Sequence, residues 1–350
     1  MATIREAVRS DDPGLRRLTS LTPMSGRISI RSDREPDFFR LLEKRGPHVV
    51  LVAEEGGAVV GSVSAARVPV RIDGQTGTIH YLGDLKTHPA HRGKGLAIRL
   101  LGAMRERLDA DGADLVVSTA AQGNSEVLSF FDGHSGLPRA LGLGTFHVDQ
   151  ILPSARWRGR PAPTPAAAPD PDELCRFYNE FYRGYQFGPF FTPEGLSGCV
   201  HWESRAGGAL EAALTLVDLG DAKQNVLIKL PLSLRPIAAA LRTARSIFPA
   251  IALPGIGQAI RMLYVKAMAC RVGGEPALDR LLDAARRFAF EQKVHFLAIG
   301  LHERDPLRRR LARFPKFTFK SLGFVIGLRR DNDALARLAL RVPYEDYSLV

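Results

Sequence analysis

The sequence predicts a mixed α/β fold built as two sheet-and-helix units in tandem. Three observations carry this. The stretch Tyr81–Met104, YLGDLKTHPAHRGKGLAIRLLGAM, reads as a strand, a basic glycine turn and a helix. Short alternating apolar runs surround it and are interrupted by helical periodicity. The second half then repeats the order strand, glycine turn, helix, short strand, helix, strand, without evident identity to the first. A chain of 350 residues that is 45% hydrophobic is long enough for two cores.

In chain order, Thr3–Val8 alternates and opens the fold as a strand. Asp12 and Pro13 suit the cap and first turn of a helix to about Leu21. Asp33–Lys44 places Phe38, Leu41 and Leu42 on one helical side. His48–Glu54 and Val59–Ile72 read as strands around the EEGGA turn, and DGQTG at Asp73–Gly77 turns the chain into the strand Thr78–His88. The helix Gly95–Leu108 leaves the basic turn. Leu115–Ala120 is a short buried strand, Ser125–Phe131 helical, and Leu141–Leu152 a strand in which Gly142 and Gly144 permit a bulge.

Ser154–Asp172 is rich in proline and poor in apolar periodicity, and reads as a linker. Beyond it, Asp172–Tyr185 is an aromatic-rich helix. Leu210–Leu219 and Asn225–Leu234 are strands, Pro236–Phe248 is helical, and LYVKAMAC is strand-like. Pro276–Gln292 is an amphipathic helix, His295–Gly300 a buried strand, Pro306–Ala312 a basic helix and Phe317–Leu328 a last strand.

Composition narrows the function classes. No apolar run reaches the roughly 18 residues that a membrane helix needs. The segment MATIREAVRSDD lacks a secretory core. Cys175, Cys199 and Cys270 lie far apart, which argues against a disulfide framework or zinc site and suits a reducing cytoplasm. The net charge of +11 is dispersed, so it speaks for a polyanionic ligand more than for nucleic acid.

Arg92-Gly93-Lys94-Gly95-Leu96-Ala97 fits R-x-x-G-x-A between a strand and a helix. Such a turn presents backbone N–H groups at a helix N-terminus, where the dipole favours an anion. Glycines let that backbone approach phosphate closely, and Arg92 and Lys94 add charge. No Ser or Thr follows Lys94, which excludes a Walker loop, and a third dinucleotide-fold glycine is lacking. The natural occupant is a pyrophosphate.

LKTHPAHRGKGLA resembles the signature of the GNAT acyltransferase superfamily over roughly residues 2–150. The resemblance implies acetyl-CoA, or another acyl-CoA, as co-substrate and no metal. It implies that backbone at Leu85, Lys86 and Thr87 bonds the pantetheine arm, and that Arg92, Gly93, Lys94, Gly95, Leu96 and Ala97 hold the pyrophosphate. Asn124 matches the family's downstream Asn. Phe131 stands where the family usually has a Tyr, and cannot protonate a thiolate. The implied division is a GNAT domain at 1–152, a Pro/Ala-rich linker at 153–172 and a second, degenerate GNAT-like domain at 173–345. There Arg271-Val272-Gly273-Gly274-Glu275-Pro276 echoes the turn, with Pro276 removing an amide donor.

Transfer to an amine needs a polarised thioester and a neutral amine. Asp84 is the candidate base and His80 the second; strand alternation places both on one face. Local pairing is the alternative for Asp84. The expected activity is direct acyl transfer to a small-molecule or peptide amine, and the competing reading is a non-enzymatic acyl-CoA sensor. The expected setting is the cytoplasm without membrane or nucleic-acid partners; a homodimer is compatible with the sequence. The aromatics Phe177–Tyr185 suit a core or an acceptor pocket, and Arg308, Arg309, Arg310 and Arg313 a solvated helix face or a binding patch.

Overall fold

The computed structural model describes residues 2–23, 29–124, 129–133, 137–155, 163–166, 169–229 and 254–350. The first half contains β1 (Thr3–Glu6), α1 (Asp12–Leu21), β2 (Ser29–Asp33), α2 (Arg40–Arg45), β3 (His48–Glu55), β4 (Ala58–Ile72), β5 (Gln75–Thr87), α3 (Leu96–Ala110), β6 (Leu115–Ala121) and β7 (Leu141–Ile151). The second contains α4 (Pro171–Phe181), β8 (Gly188–Pro189), α5 (Pro193–Leu196), β9 (Val200–Ala206), β10 (Ala209–Asp218), β11 (Gln224–Lys229) and β12 (Ala259–Ile260). It continues with β13 (Met262–Cys270), α6 (Glu275–Glu291), β14 (Phe296–His302), β15 (Lys316–Gly327) and α7 (Asn332–Leu338).

One sheet runs β1-β3-β4-β5-β6-β15-β7-β14-β13-β10-β9, with β8 on β4. Two splayed parallel pairs, β5/β6 and β13/β14, occupy equivalent places in the two halves. The strands between them are exchanged. β15, late in the chain, lies between β6 and β7, and β7 from the first half pairs with β14 of the second. The two units are therefore joined by continuous hydrogen bonding through each other's strands. A smaller sheet, β12-β11-β2, adds a second junction.

Helix α3 buries Leu96, Leu100, Leu101, Met104 and Leu108 against Val63, Ala65 and Leu82 of the first unit. Their spacing of three to four residues forms a single apolar stripe. Helix α6 does the same in the second unit with Leu278, Leu281, Leu282 and Ala285, packed with Leu214 and Leu297. The aromatics Phe177, Tyr178, Tyr182 and Tyr185 are buried core, with the Tyr178 hydroxyl on Thr215 and that of Tyr182 on the Met268 carbonyl. Gly142 and Gly144 flank a register shift between β7 and β15, where the backbone bends.

Several local readings change. Asp33–Lys44 is not one helix: β2 ends at Asp33 and α2 begins at Arg40. Pro36 lacks an amide donor inside that interval, and β2 is held by β11 from the distant half. Asp12 does not cap α1; its carboxylate accepts from the Phe38 amide and from Arg16. Ser129–Phe131 is a single 3-10 turn, and residues 125–128 of the expected helix lie outside the described residues. The expected helix Pro236–Phe248, the end of the strand Asn225–Leu234 and parts of the linker also lie outside them.

Candidate active site

The site begins at the root of the β5/β6 splay. The two strands are in parallel register only at His80/Val116 and Tyr81/Val117. Beyond that point β5 follows β4 to Thr87 while β6 follows β15 to Ala121. The Ser118 hydroxyl donates to the Leu82 carbonyl at 2.9 Å, and the Tyr81 and Thr119 hydroxyls pair at 2.9 Å. The backbone of Gly83–Thr87 borders the gap and is partly exposed.

Beyond Thr87 the chain reaches the exposed turn Arg92–Gly95 and enters α3. Gly93 (φ 72°) and Gly95 (φ 71°) are left-handed, and a Cβ at either would meet open space. Gly95 caps the helix without a side chain, so the first amides of α3 face outward. The Arg92 amide donates to the Pro89 carbonyl, and the side chains of Arg92 and Lys94 make no hydrogen bond or ion pair among the described residues. Asn124 lies at the end of β6, with its amide on the Ala121 carbonyl. Phe131 is buried and stacked on Phe324, with centroids 4.4 Å apart.

A β-bulge sits in the mouth of the splay. Ser62 opposes Lys86 and Ser64 opposes Gly83, so Asp84 and Leu85 together face Val63. Asp84 adopts φ 49°, a conformation that Asp tolerates better than most residues. The bulge resets the alternation, so His80 and Asp84 do not share a face. Leu82 packs toward α3, and His80 has Arg67 and Asp111 as charged neighbours. Asp84 lies on the opposite side, with Tyr81.

Asp84 is the centre of a buried polar cluster. Its carboxylate accepts from Arg34 Nη2 at 3.0 Å and Ser64 Oγ at 3.0 Å, while Ser62 Oγ donates to its carbonyl at 2.9 Å. Burial pushes the Asp84 carboxyl up, but Arg34, Lys86, Ser64 and Arg45 outweigh it and hold it below the usual carboxylate range. An anion so held accepts hydrogen bonds well and takes protons poorly. His80 is pushed down, first by burial and then by Arg67, so its imidazole is neutral near pH 7. Lys223 is pushed down to about 7, mainly by burial. It donates to the carbonyls of Ser348 and Val350 and lies 4.7 Å from the Tyr264 ring centroid.

The equivalent cleft of the second unit is filled. Residues Tyr344–Tyr347 lie between β13 and β14, beyond the three paired residues of each strand. Asp346 pairs with Lys266, itself at a bulge in β13, and Tyr344 Oη donates to the Lys266 carbonyl. The Tyr347 ring covers Gly300 so closely that a Cβ there would lie 2.2 Å from it. From the same segment Glu345 turns back to Arg45 at 2.9 Å, and Arg45 lies 3.6 Å over Tyr81. The turn Arg271–Pro276 is a tight corner: the Gly274 amide is spent on the Arg271 carbonyl, and Pro276 has no amide.

Sequence reasoning missed Arg34, Arg45, Lys223 and Glu345, which long-range contacts bring to the site. Gly83-Asp84 inside a strand was the one local signal of the bulge. Arg310 and Arg313 pair with Asp279 and Asp283, and Arg308 reaches His147. Among the described residues no cluster of His, Cys, Asp and Glu suits a metal ion, and no helix is long and apolar enough to cross a membrane.

Two units, each splayed between parallel strands, with one splay leading to an exposed glycine turn and helix start, define a tandem acyl-CoA N-acyltransferase fold. Residues 28–125 match the family model described as an acetyltransferase (GNAT) domain. The family match thus rests on residues 28–125, while the whole chain has the tandem GNAT-like fold. An acetyltransferase of Yersinia enterocolitica is 34% identical over 101 residues, which cover 29% of this chain and 65% of that one. One from Sodalis glossinidius matches with the same figures. The match thus spans just under two thirds of the length of these relatives. Among solved structures, Saccharomyces cerevisiae N-myristoyltransferase with bound myristoyl-CoA superposes with a TM-score of 0.62 at 10% identity, covering 93% of this chain and 83% of that one. A GCN5-related N-acetyltransferase from Anabaena variabilis gives 0.52 at 9% identity, covering 93% and 72%.

Proposed function

We propose that this chain transfers an acetyl or other acyl group from acyl-CoA directly to the amine of a small molecule or peptide. The observation that carries the reading is the continuity of the open β5/β6 splay with the exposed turn Arg92–Gly95, its two left-handed glycines and its two cations, whose side chains are unpaired among the described residues. The pyrophosphate would seat on the first amides of α3 with Arg92 and Lys94 beside it, and the pantetheine arm along Leu85, Lys86 and Thr87, with Asn124 at the far wall. The thioester would then lie at the bulge, where a backbone N–H of Asp84–Leu85 polarises its carbonyl.

The amine attacks the thioester carbon, the N–C bond forms, the C–S bond breaks, and the amine proton leaves to solvent. Asp84 accepts a hydrogen bond from the incoming amine and holds it in line. Its lowered pKa favours this positioning role over direct deprotonation. His80, across the sheet, is assigned no step. Coenzyme A thiolate is a tolerable leaving group, so Phe131 does not block the reaction. The sensor reading draws on the same Phe131, which offers no proton and is packed as core.

The proposal keeps 1–152 as the cofactor unit, 153–172 as linker and 173–345 as the second unit, with β7 and β15 exchanged between the two. It keeps the cytoplasm as the setting. Two measurements test it: coenzyme A should raise the melting temperature by mass action, and acetyl-CoA with an amine panel should release free thiol. Stabilisation without any thiol release favours the sensor; no stabilisation refutes the assignment of the turn.

A further inference from the structure

The buried cluster around Asp84 carries more positive charge than it neutralises. Arg34 is 8% exposed, and among the described residues only its Nη2 has a partner, Asp84; Nε and Nη1 have none there. Arg45 Nη2 is likewise buried without a partner among the described residues, although Nη1 meets Glu345. Lys86, next but one to Asp84 on the same face of β5, makes no side-chain hydrogen bond or ion pair among the described residues. Lys223 donates to the main-chain oxygens of Ser348 and Val350 and lies over the Tyr264 ring, with no ion pair among the described residues. The carboxylates facing this group are Asp84, Glu345 and Asp346, and each is already engaged, with Arg34, Arg45 and Lys266 respectively.

A guanidinium removed from water with two nitrogens unsatisfied is costly unless something else meets it. Arg34 owes its place to both halves. It directly follows β2, which β11 of the second unit holds, while Asp84 stands on β5 at the cofactor cleft. A group that satisfied Arg34 would therefore stand beside the point where the amine must attack.

We infer that the acceptor carries an acidic oxyanion, a carboxylate or a phosphate, beside its reacting amine, and that the free donors of Arg34 seat it. This rests on the acyl-transfer reading above and narrows it to amines that bear an acid. Asp84 takes the amine and Arg34 the acid, so the two ends of one small zwitterion are read by one ion pair. Lys86 adds to the attraction, and Arg45 sets the opposite wall.

The test uses the full chain with acetyl-CoA and matched acceptors. These are the α-amino acids against their α-amides, and phosphoethanolamine against ethanolamine, read by thiol release and product mass. A charge-assisted bond to a buried guanidinium predicts kcat/KM at least about tenfold higher for the acid-bearing member of the preferred pair, mostly through KM. Arg34→Gln should erase that preference and Arg34→Lys keep part of it, with the affinity for coenzyme A, measured by calorimetry, unchanged in both. The two acid classes tell a carboxylate site from a phosphate site.

Equal use of acids and neutral partners, a preference for the neutral partner, or a preference that survives Arg34→Gln would overturn the inference while leaving acyl transfer intact. If no acceptor is acetylated, the acyl-transfer reading fails instead. The site is then read by melting of the coenzyme A-saturated wild type: the acid-bearing compounds should stabilise it and their neutral partners should not. No difference between them overturns the inference there too, and this arm does not depend on the folding of any variant.

Discussion

Replacing Gly95 by valine puts the assigned cofactor turn under its sharpest test. Gly95 sits at φ 71° and ψ 8°, left-handed, as the cap of α3. An L-residue held there costs about 1–2 kcal/mol, somewhat more when β-branched. No atom lies within 4 Å of the position a Cβ would take, so the protein itself offers no clash. The new side chain would project instead over the helix start, where the pyrophosphate must come within hydrogen-bond distance of the amides. Losing two charge-assisted bonds of roughly 1.5–3 kcal/mol each weakens binding by about two to four decades. Wild-type protein at a coenzyme A concentration of about 100 Kd gains roughly 2.7 kcal/mol, a shift of several degrees; the variant should gain under about 0.5 kcal/mol. Gly207→Val is the control. Gly207 has φ 57° in the β9–β10 hairpin, again with no atom within 4 Å of its Cβ position. It should lose similar stability yet keep the whole coenzyme A shift, as read by scanning fluorimetry and calorimetry. Retention of the shift in Gly95→Val, or its loss in Gly207→Val, would refute the placement.

Other expectations follow from the buried charges and the filled cleft. Asp84→Asn leaves Arg34 without its anion; unfolding in urea should show a loss of about 3–5 kcal/mol, and turnover should fall at least about a hundredfold. Gly300→Ala drives a Cβ into the Tyr347 ring, costing about 1–3 kcal/mol and exposing Tyr344–Tyr347, seen as faster proteolysis near the end of the chain. Lys223 titrates near 7 when folded and above 10 when unfolded, so the unfolded chain binds the extra proton between those values. Stability from this group therefore rises with pH across about 7 to 10 and is lost as pH falls toward 7, by up to roughly 5 kcal/mol. Lys223→Met should flatten that part of the pH–stability curve.

The residues that could be read directly were those whose role is local. Gly93 and Gly95 answer to φ, the outward amides of α3 to the helix itself, and the stripe Leu96–Leu108 to a period of 3.6. Most strands of the main sheet also announced themselves by alternation. The exceptions share a cause. β2 carries no signal of its own, and its last residue, Asp33, reads into a helix because Phe38, Leu41 and Leu42 follow at helical spacing, while the strand that fixes it, β11, is almost 200 residues away. The bulge at Asp84 reverses the alternation that would have put His80 beside it, and one inserted residue changes every face assignment beyond it.

The sequence by itself thus determined the glycine turn, the helix behind it and the strand that leads to them. These depend on backbone conformation and on contacts within a few turns of chain. Tertiary structure alone decided the exchange of β7 and β15, the filling of the second cleft by Tyr344–Tyr347 and the meeting of Arg34 with Asp84. Strand partners and buried ion pairs are chosen by which distant surfaces can satisfy one another's hydrogen bonds and charges. No periodicity along the chain records that choice.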